Sequence, residues 1–202
     1  KYKWEVPEEE ALIKQRYGKP DTSFMPTGKL AWIEDYQNGL GDRIAHLAWS
    51  FDIYAHEPMS RQKVFVDAVT GKILYSNPMT RHTAASGRSR YSGVVNFESA
   101  NIGTTYVLYD STRGNGVHTL DMRNGTSYGA ATNVSSVSNI WPVATRDSVA
   151  LDAHWAGEAV YDYWRTVHGR LSWDNLDGIL LQYIHYSSGF NNAFWDGTAM
   201  TY

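Results

Sequence analysis

An α+β fold in two modules is predicted by this sequence, and three observations carry the prediction. One segment has the apolar spacing of a long helix. Elsewhere, short apolar segments alternate with Gly, Asn and Asp turn signals, as strands do. The charge pattern also changes along the chain. Residues 1–82 hold 7 Lys, 4 Arg and 11 acidic residues, whereas 83–202 hold no Lys, 7 Arg and 10 acidic residues. The expected architecture is a small antiparallel sheet with a helix over 1–82, then a β-rich module with one long helix over 83–202.

The first module opens with a short helix. Pro7 and Glu8 to Glu10 suit its N-terminus, Lys14 and Arg16 its C-terminal end, and Gly18 stops it. Ala45, Leu47, Trp49, Phe51 and Ile53 are apolar at every second position, which predicts a half-buried strand. The segments 63–67 and 72–75 flank Ala68-Val69-Thr70-Gly71 as a hairpin. Asn77 to Arg88 is small, polar and basic, and reads as an exposed, cleavable linker.

In the second module, 106–109 and 117–120 flank a turn with Gly114-Asn115-Gly116, where positive φ is wanted. The long helix is expected from about Asp147, its N-cap, to His168, with Gly169 as the stop. Positions 149, 153, 156, 160, 163, 164 and 167 form its apolar stripe. Strands at 180–186 and 192–195 follow, and Asp196-Gly197 turns the chain into a last strand at 198–202. The abrupt start, with no leader-like segment at Lys1 to Val6, and the bare final strand read as a piece of a longer protein.

The net charge of −3 supplies no basic field for nucleic acid, and no apolar segment approaches a membrane span, so neither partner is expected. Without cysteine there are no disulfides or thiolate zinc sites, and any metal must use His and carboxylates. His56-Glu57 begins like H-E-x-x-H, but position 60 is Ser and Pro58 suits no helix interior, so no zinc site is read there. His154, Glu158 and Asp162 share one helix face, a spacing open to a metal pair, and read first as charge pairing on its solvated side. His185 reads as a hydrogen-bonded structural histidine, and most of the eight Trp as core. No G-x-S-x-G elbow is present.

Several segments of the second half, in order, carry a resemblance. They are Arg113-Gly114-Asn115-Gly116-Val117, then 151–155 (LDAHW), 161–164 (YDYW) and 167–172 (VHGRLS). The most specific is 185–197 (HYSSGFNNAFWDG). Together they resemble the thermolysin family of zinc metallopeptidases across nearly all of 89–202. Residues 65–74 (FVDAVTGKIL) resemble the PepSY-type end of that family's propeptide. The resemblance implies a secreted zymogen whose propeptide assists folding and blocks the catalytic domain. It implies a zinc endopeptidase acting on peptide or protein substrates, with calcium for stability. It places no zinc ligand or general base in these residues, so this chain alone is expected to be inactive, without a catalytic or metal residue. It implies that Asn192, Ala193, Phe194 and Trp195 form the edge strand that binds substrate backbone. It also implies processing near His82, Thr83, Ala84 and Ala85. Two departures stand out. Val134 to Asn139 lacks the Asp-x-Asp of one family calcium site, and Asp196 replaces the family's Asn. The competing readings are a noncatalytic peptide-binding or inhibitory protein with protease-like strands, and a carbohydrate-binding β-protein.

Overall fold

The computed structural model describes residues 1–57, 59–141 and 145–202, with side chains throughout these except at Arg16 and at 145–147. It comprises two compact units, Lys1–Thr80 and Arg81–Tyr202.

In the first unit, a 3-10 turn at Lys3–Glu5 leads into α1 (Pro7–Tyr17). Pro7 stands in the first turn and Gly18 ends the helix with φ +63°. The side chain of Arg16, expected at the helix end, lies outside the described ones. Four strands, β1 (Lys29–Ile33), β2 (His46–Ala55), β3 (Ser60–Asp67) and β4 (Ile73–Pro78), form an antiparallel meander in that order. The β3–β4 turn is the one expected. Asp67 Oδ1 accepts the Val69 and Thr70 N–H groups, and Gly71 takes φ +73°. The alternation in β2 is less clean than its sequence suggests. Ala48 is fully buried while Trp49 is exposed, so both faces are partly covered. His56 is buried with its Nδ1 3.5 Å from Glu9 Oε1, and Glu9 pairs with Lys3 at 3.0 Å. Pro58, used against a zinc reading, lies outside the described residues.

The second unit opens with β5 (Arg81–Arg88), so the stretch expected to be a linker is largely strand. Its composition misled because small residues also suit a strand packed under a helix. Ala85 and Gly87 are buried. There follow β6 (Val94–Asn101), β7 (Tyr106–Val107), β8 (Tyr109–Asp110), β9 (Val117–Asp121), β10 (Thr132–Asn133), β11 (Ser135–Ser136) and β12 (Ile140–Trp141). After α2 (Thr145–His168) come β13 (Leu180–Ile184), β14 (Phe194–Trp195) and β15 (Ala199–Thr201). One sheet has the order β11-β7-β6-β5-β12, and the other β10-β9-β13-β15-β14 with β8 beside β9. The glycine turn therefore joins β8 to β9, with Tyr109 opposite His118, while β7 belongs to the other sheet.

Helix α2 packs against β5 and β6 of one sheet and β9 and β13 of the other. Leu108, Leu151 and Ile184 are almost completely buried in the resulting core, beside Phe97 and Trp141. Each such side chain contributes roughly 1.5–3 kcal/mol by leaving water. A second cluster, with Leu120, Met122, Tyr183 and Ala199, occupies another part of the unit.

Two expectations for α2 need correction. The helix begins at Thr145, so Asp147 lies within its first turn and is not the N-cap; its side chain is outside the described ones. Its buried face carries Ala150, Leu151, His154, Glu158 and Tyr161, whereas Val160, Tyr163, Trp164 and Val167 of the expected stripe are exposed. A polar cluster takes the inner face because it finds partners there.

Close approach of helix to sheet rests on Gly157. A Cβ at this position would meet Val117 Cγ1 at 3.0 Å and the Gln182 side chain. Gly157→Ala adds about 1 kcal/mol of helix propensity, yet it should lower the melting temperature of the chain, because both neighbours are packed in the core. An unchanged or higher melting temperature by circular dichroism would contradict this account.

Candidate functional site

The six-stranded sheet ends at β14, whose paired neighbour is β15 alone: Phe194 stands opposite Thr201 and Trp195 opposite Met200. Its outer edge is open among the described residues. The segment leading to it is held from several sides. His185 takes φ +54° and its Nδ1 lies 3.0 Å from Asp121 Oδ1, so it is hydrogen-bonded as expected, just past the end of β13. Tyr186 N–H donates to Tyr202 O and Ser187 N–H to Gly125 O. Tyr186, Phe190 and Phe194 pack edge to face at 5.1–5.9 Å. Asp196 Oδ1 accepts the N–H groups of Thr198 and Ala199 and the Thr198 hydroxyl, each at 2.8 Å. These bonds close the β14–β15 turn and, led by the Thr198 N–H, hold the Asp196 carboxyl below its ordinary pKa. A carboxylate at this position thus has a local structural use.

The four residues expected to bind substrate lie together on this edge. Asn192 and Ala193 are exposed, Phe194 is half-buried and Trp195 is 44% exposed. Asn192 Oδ1 accepts the Ala193 N–H at 2.9 Å, so Asn192 must turn outward before that N–H can serve a ligand. Trp195 meets Trp173, ring centroids 5.4 Å apart. Trp173 is a residue the sequence did not single out, and five of the eight Trp, including these two and Trp164, are exposed rather than core. Periodicity places a ring on an element but does not say which face is covered. His82, Thr83, Ala84 and Ala85 are in β5, paired with Ala100, Ser99, Glu98 and Phe97 of β6, with His82 Nε2 2.7 Å from the Ser111 hydroxyl.

The helical trio His154, Glu158 and Asp162 departs most from expectation. His154 and Glu158 are buried beneath α2, and only Asp162 is at the surface. His154 Nε2 faces Glu98 O at 3.0 Å and must carry the proton; Nδ1 then accepts the Thr119 hydroxyl, also at 3.0 Å. Glu158 Oε1 accepts the Glu98 N–H at 2.9 Å. Arg113 reaches in from the β8–β9 turn to Asp110 at 2.7 Å and Asp162 at 2.8 Å, with Glu158 at 3.5 Å. Burial holds His154 neutral, its pKa down at about 4, and pushes Glu158 up to about 8 against the pull of Glu98 N–H and Arg113. Burial opposes the charge of Arg113, but its bonds to Asp162 and Asp110 prevail and raise its pKa. Spacing could not reveal this cluster, because Asp110 and Arg113 come from a segment far from α2 in sequence.

The cluster does not fit a metal. Both imidazole nitrogens and the inner Glu158 oxygen are already engaged. No group of three or more His, Asp or Glu among the described residues is arranged to hold an ion.

A family model described as the thermolysin metallopeptidase catalytic domain matches residues 84–202. A bacillolysin of Brevibacillus brevis is 35% identical over 159 residues, covering 78% of this chain and 29% of that protein. A thermolysin of Alicyclobacillus acidocaldarius subsp. acidocaldarius is 30% identical over 216 aligned positions, covering 98% of this chain and 39% of that protein. A bacillolysin of Bacillus caldolyticus is 41% identical over 97 residues, 48% of this chain and 18% of its own length. The chain thus spans well under half the length of these relatives.

The buried pair sets a pH dependence whose sign follows from linkage. Glu158 keeps its proton in the folded state up to about pH 8, while an unfolded Glu loses it near 4.5, so stability falls as pH rises between these values. His154 acts oppositely between about 4 and 6.5. The two largely cancel up to pH 6.5, leaving a loss of about 2 kcal/mol between pH 6.5 and 8 from Glu158. Glu158→Gln should abolish that decline in urea unfolding curves, and an identical decline in the variant would refute it. Arg113→Ala, which strands Asp110 beside Glu158, should cost roughly 3 kcal/mol at neutral pH in the same assay.

Proposed function

The chain belongs to the thermolysin metallopeptidase family, and from that premise we propose that it is part of a secreted zinc metalloendopeptidase precursor, its second unit supplying the strand that seats the substrate. The observation that carries this reading is the open edge of β14. The strand offers unpaired backbone groups flanked by aromatic walls on both faces, within the stretch matched to the catalytic domain. An extended peptide gains affinity there by adding as a further strand. Asn192 contributes side-chain amide bonds once it leaves the Ala193 N–H.

The first unit is proposed to be the PepSY-type end of a propeptide, which assists folding and blocks the catalytic part until processing. Its support is an asymmetry between the matches. Likeness to the thermolysin covers 98% of this chain, yet the catalytic-domain model begins only at residue 84. Processing near His82 to Ala85 fits that boundary. Zinc finds no fitting ligand set among the described residues. Its ligands and the general base are proposed to reside in parts of the protein outside these 202 residues, as are the calcium sites. On this reading the 202 residues alone neither bind catalytic zinc nor cleave protein.

In the full-length enzyme, Asn192→Ala should lower kcat/KM toward extended peptides about tenfold, the size of one good backbone-directed bond made to bound substrate. Circular dichroism should remain unchanged. N-terminal sequencing of the mature enzyme should begin within residues 78–86. A start well outside that window would overturn the assignment of the first unit, and full activity of the variant would overturn the role of the strand.

A further inference from the structure

A groove lies against Trp173, the residue that meets Trp195 of the edge strand. It has a volume of about 330 Å³ and is lined by Val160 and Trp164 of α2, Trp173 and Arg170 of the following loop, and Leu180 of β13. Val160 is 52% exposed and Trp164 43% exposed, on the α2 face turned away from the polar cluster. The volume sits at the lower end of small-molecule pockets and suits one large side chain.

The wall of the groove is fixed in advance. Trp173 donates its indole N–H to Ile179 O at 3.1 Å. Arg170 Nε donates to Ser172 O at 3.1 Å, and its Nη2 donates to Trp173 O. These bonds tie the 170–173 loop onto itself and onto the start of β13, so little ordering remains for a ligand to impose.

Pleat geometry connects the groove to the strand. Trp195 stands opposite Met200, and Met200 opposite Gln182, so the three share one face of the sheet. Gln182 is turned toward α2, where its amide meets Thr119 beside His154. Trp195 therefore lies on the α2 side, while Phe194 lies on the other with Tyr186 and Phe190. A peptide paired to β14 must send alternate side chains to these two faces. On the α2 side they meet Trp195, then Trp173 at 5.4 Å, then the groove.

We propose that this groove is a side-chain subsite for an aromatic residue of a peptide seated on β14, a proposal that rests on the edge-strand reading above. The ring would lie among Trp164, Trp173 and Val160, with the guanidinium of Arg170 at its rim. Its continuity with β14 through the Trp173–Trp195 contact singles out a peptide side chain as the occupant. Alternation along the peptide allows only every second residue to reach it. The subsite would bias the protein toward substrates with an aromatic residue in that parity.

The test uses the full-length protein after processing has removed the first unit, isotopically labelled and treated with a chelator so that it cannot cleave, with two extended hexapeptides identical except for Trp or Gly at one position on the α2 side. Both peptides should shift the backbone amide signals of Ala193 to Trp195. The Trp peptide should bind about tenfold tighter, the gain expected from burying much of one large side chain. Val160→Glu, at an exposed helix position, should erase that preference while leaving the affinity of the Gly peptide unchanged. Trp164→Ala supplies a second route should the first variant unfold. Strand shifts without a Trp preference, or a preference that survives both variants, would overturn the subsite and leave the edge-strand reading standing. No shift at Ala193 to Trp195 with either peptide would overturn both.

Discussion

The backbone of one residue in the middle of a strand organises the unit matched to the catalytic domain. Glu98 of β6 gives its N–H to Glu158 and its carbonyl to His154, both from α2. The same imidazole reaches Thr119 of β9 in the other sheet. A single helix face thereby satisfies polar groups of both sheets and fixes where α2 sits between them. Each bond is modest on its own, but leaving any of these buried groups unpaired would cost more than the bond contributes. Apolar packing by Leu151, Ala150 and Tyr161 fills the same interface without specifying its register. The polar contacts supply that register, and they explain why a helix of this length turns a histidine and a glutamate inward and leaves Trp164 and Val167 outside.

The position of α2 then determines what the edge of the other sheet can do. Gly157 lets the helix approach β9 and β13, and Arg113 ties the β8–β9 turn to the helix through Asp162. The loop after α2 consequently brings Trp173 against Trp195. β14 is only two residues long, a length that alone would make a weak edge. It is kept in place by the Asp196 turn on one side and by aromatic packing on both faces. Rigidity in such a short strand comes from its supports rather than from its own ladder.

Much of this was legible in the sequence, and what was not shares a physical cause. Elements set by local chemistry were readable: α1 between Pro7 and Gly18, the Asp67–Gly71 turn, the β8–β9 turn, and the Asp196-Gly197 turn before β15. The 185–197 segment identified the edge strand because it is distinctive over a contiguous stretch. Burial was not readable. His154 and Glu158 have the spacing of a solvated charge pair, and only the folding of Glu98, Thr119 and Arg113 around them shows otherwise. The exposed stripe of Val160, Tyr163 and Trp164 has the spacing of a core face for the same reason. A helical period identifies faces, while the tertiary partners decide which one goes inside.

The strand character of β5 bears on the processing proposed at its start. A bond within a paired strand is protected until the strand opens locally. The two ends of β5 differ in what holds them. Ser86 and Gly87 lie between β6 on one side and β12 on the other, with Ala85 and Gly87 buried. Arg81 and His82 pair with β6 alone and are exposed, with the Ser111 hydroxyl as the only cross-contact described for the His82 ring. Opening the first residues therefore breaks few bonds and uncovers little apolar surface, whereas opening the last would disturb the core around Trp141 and Leu151. A cut at the N-terminal end of β5 would leave a new terminus still anchored in the sheet by its remaining residues, so the fold that α2 organises would survive the loss of the unit before it.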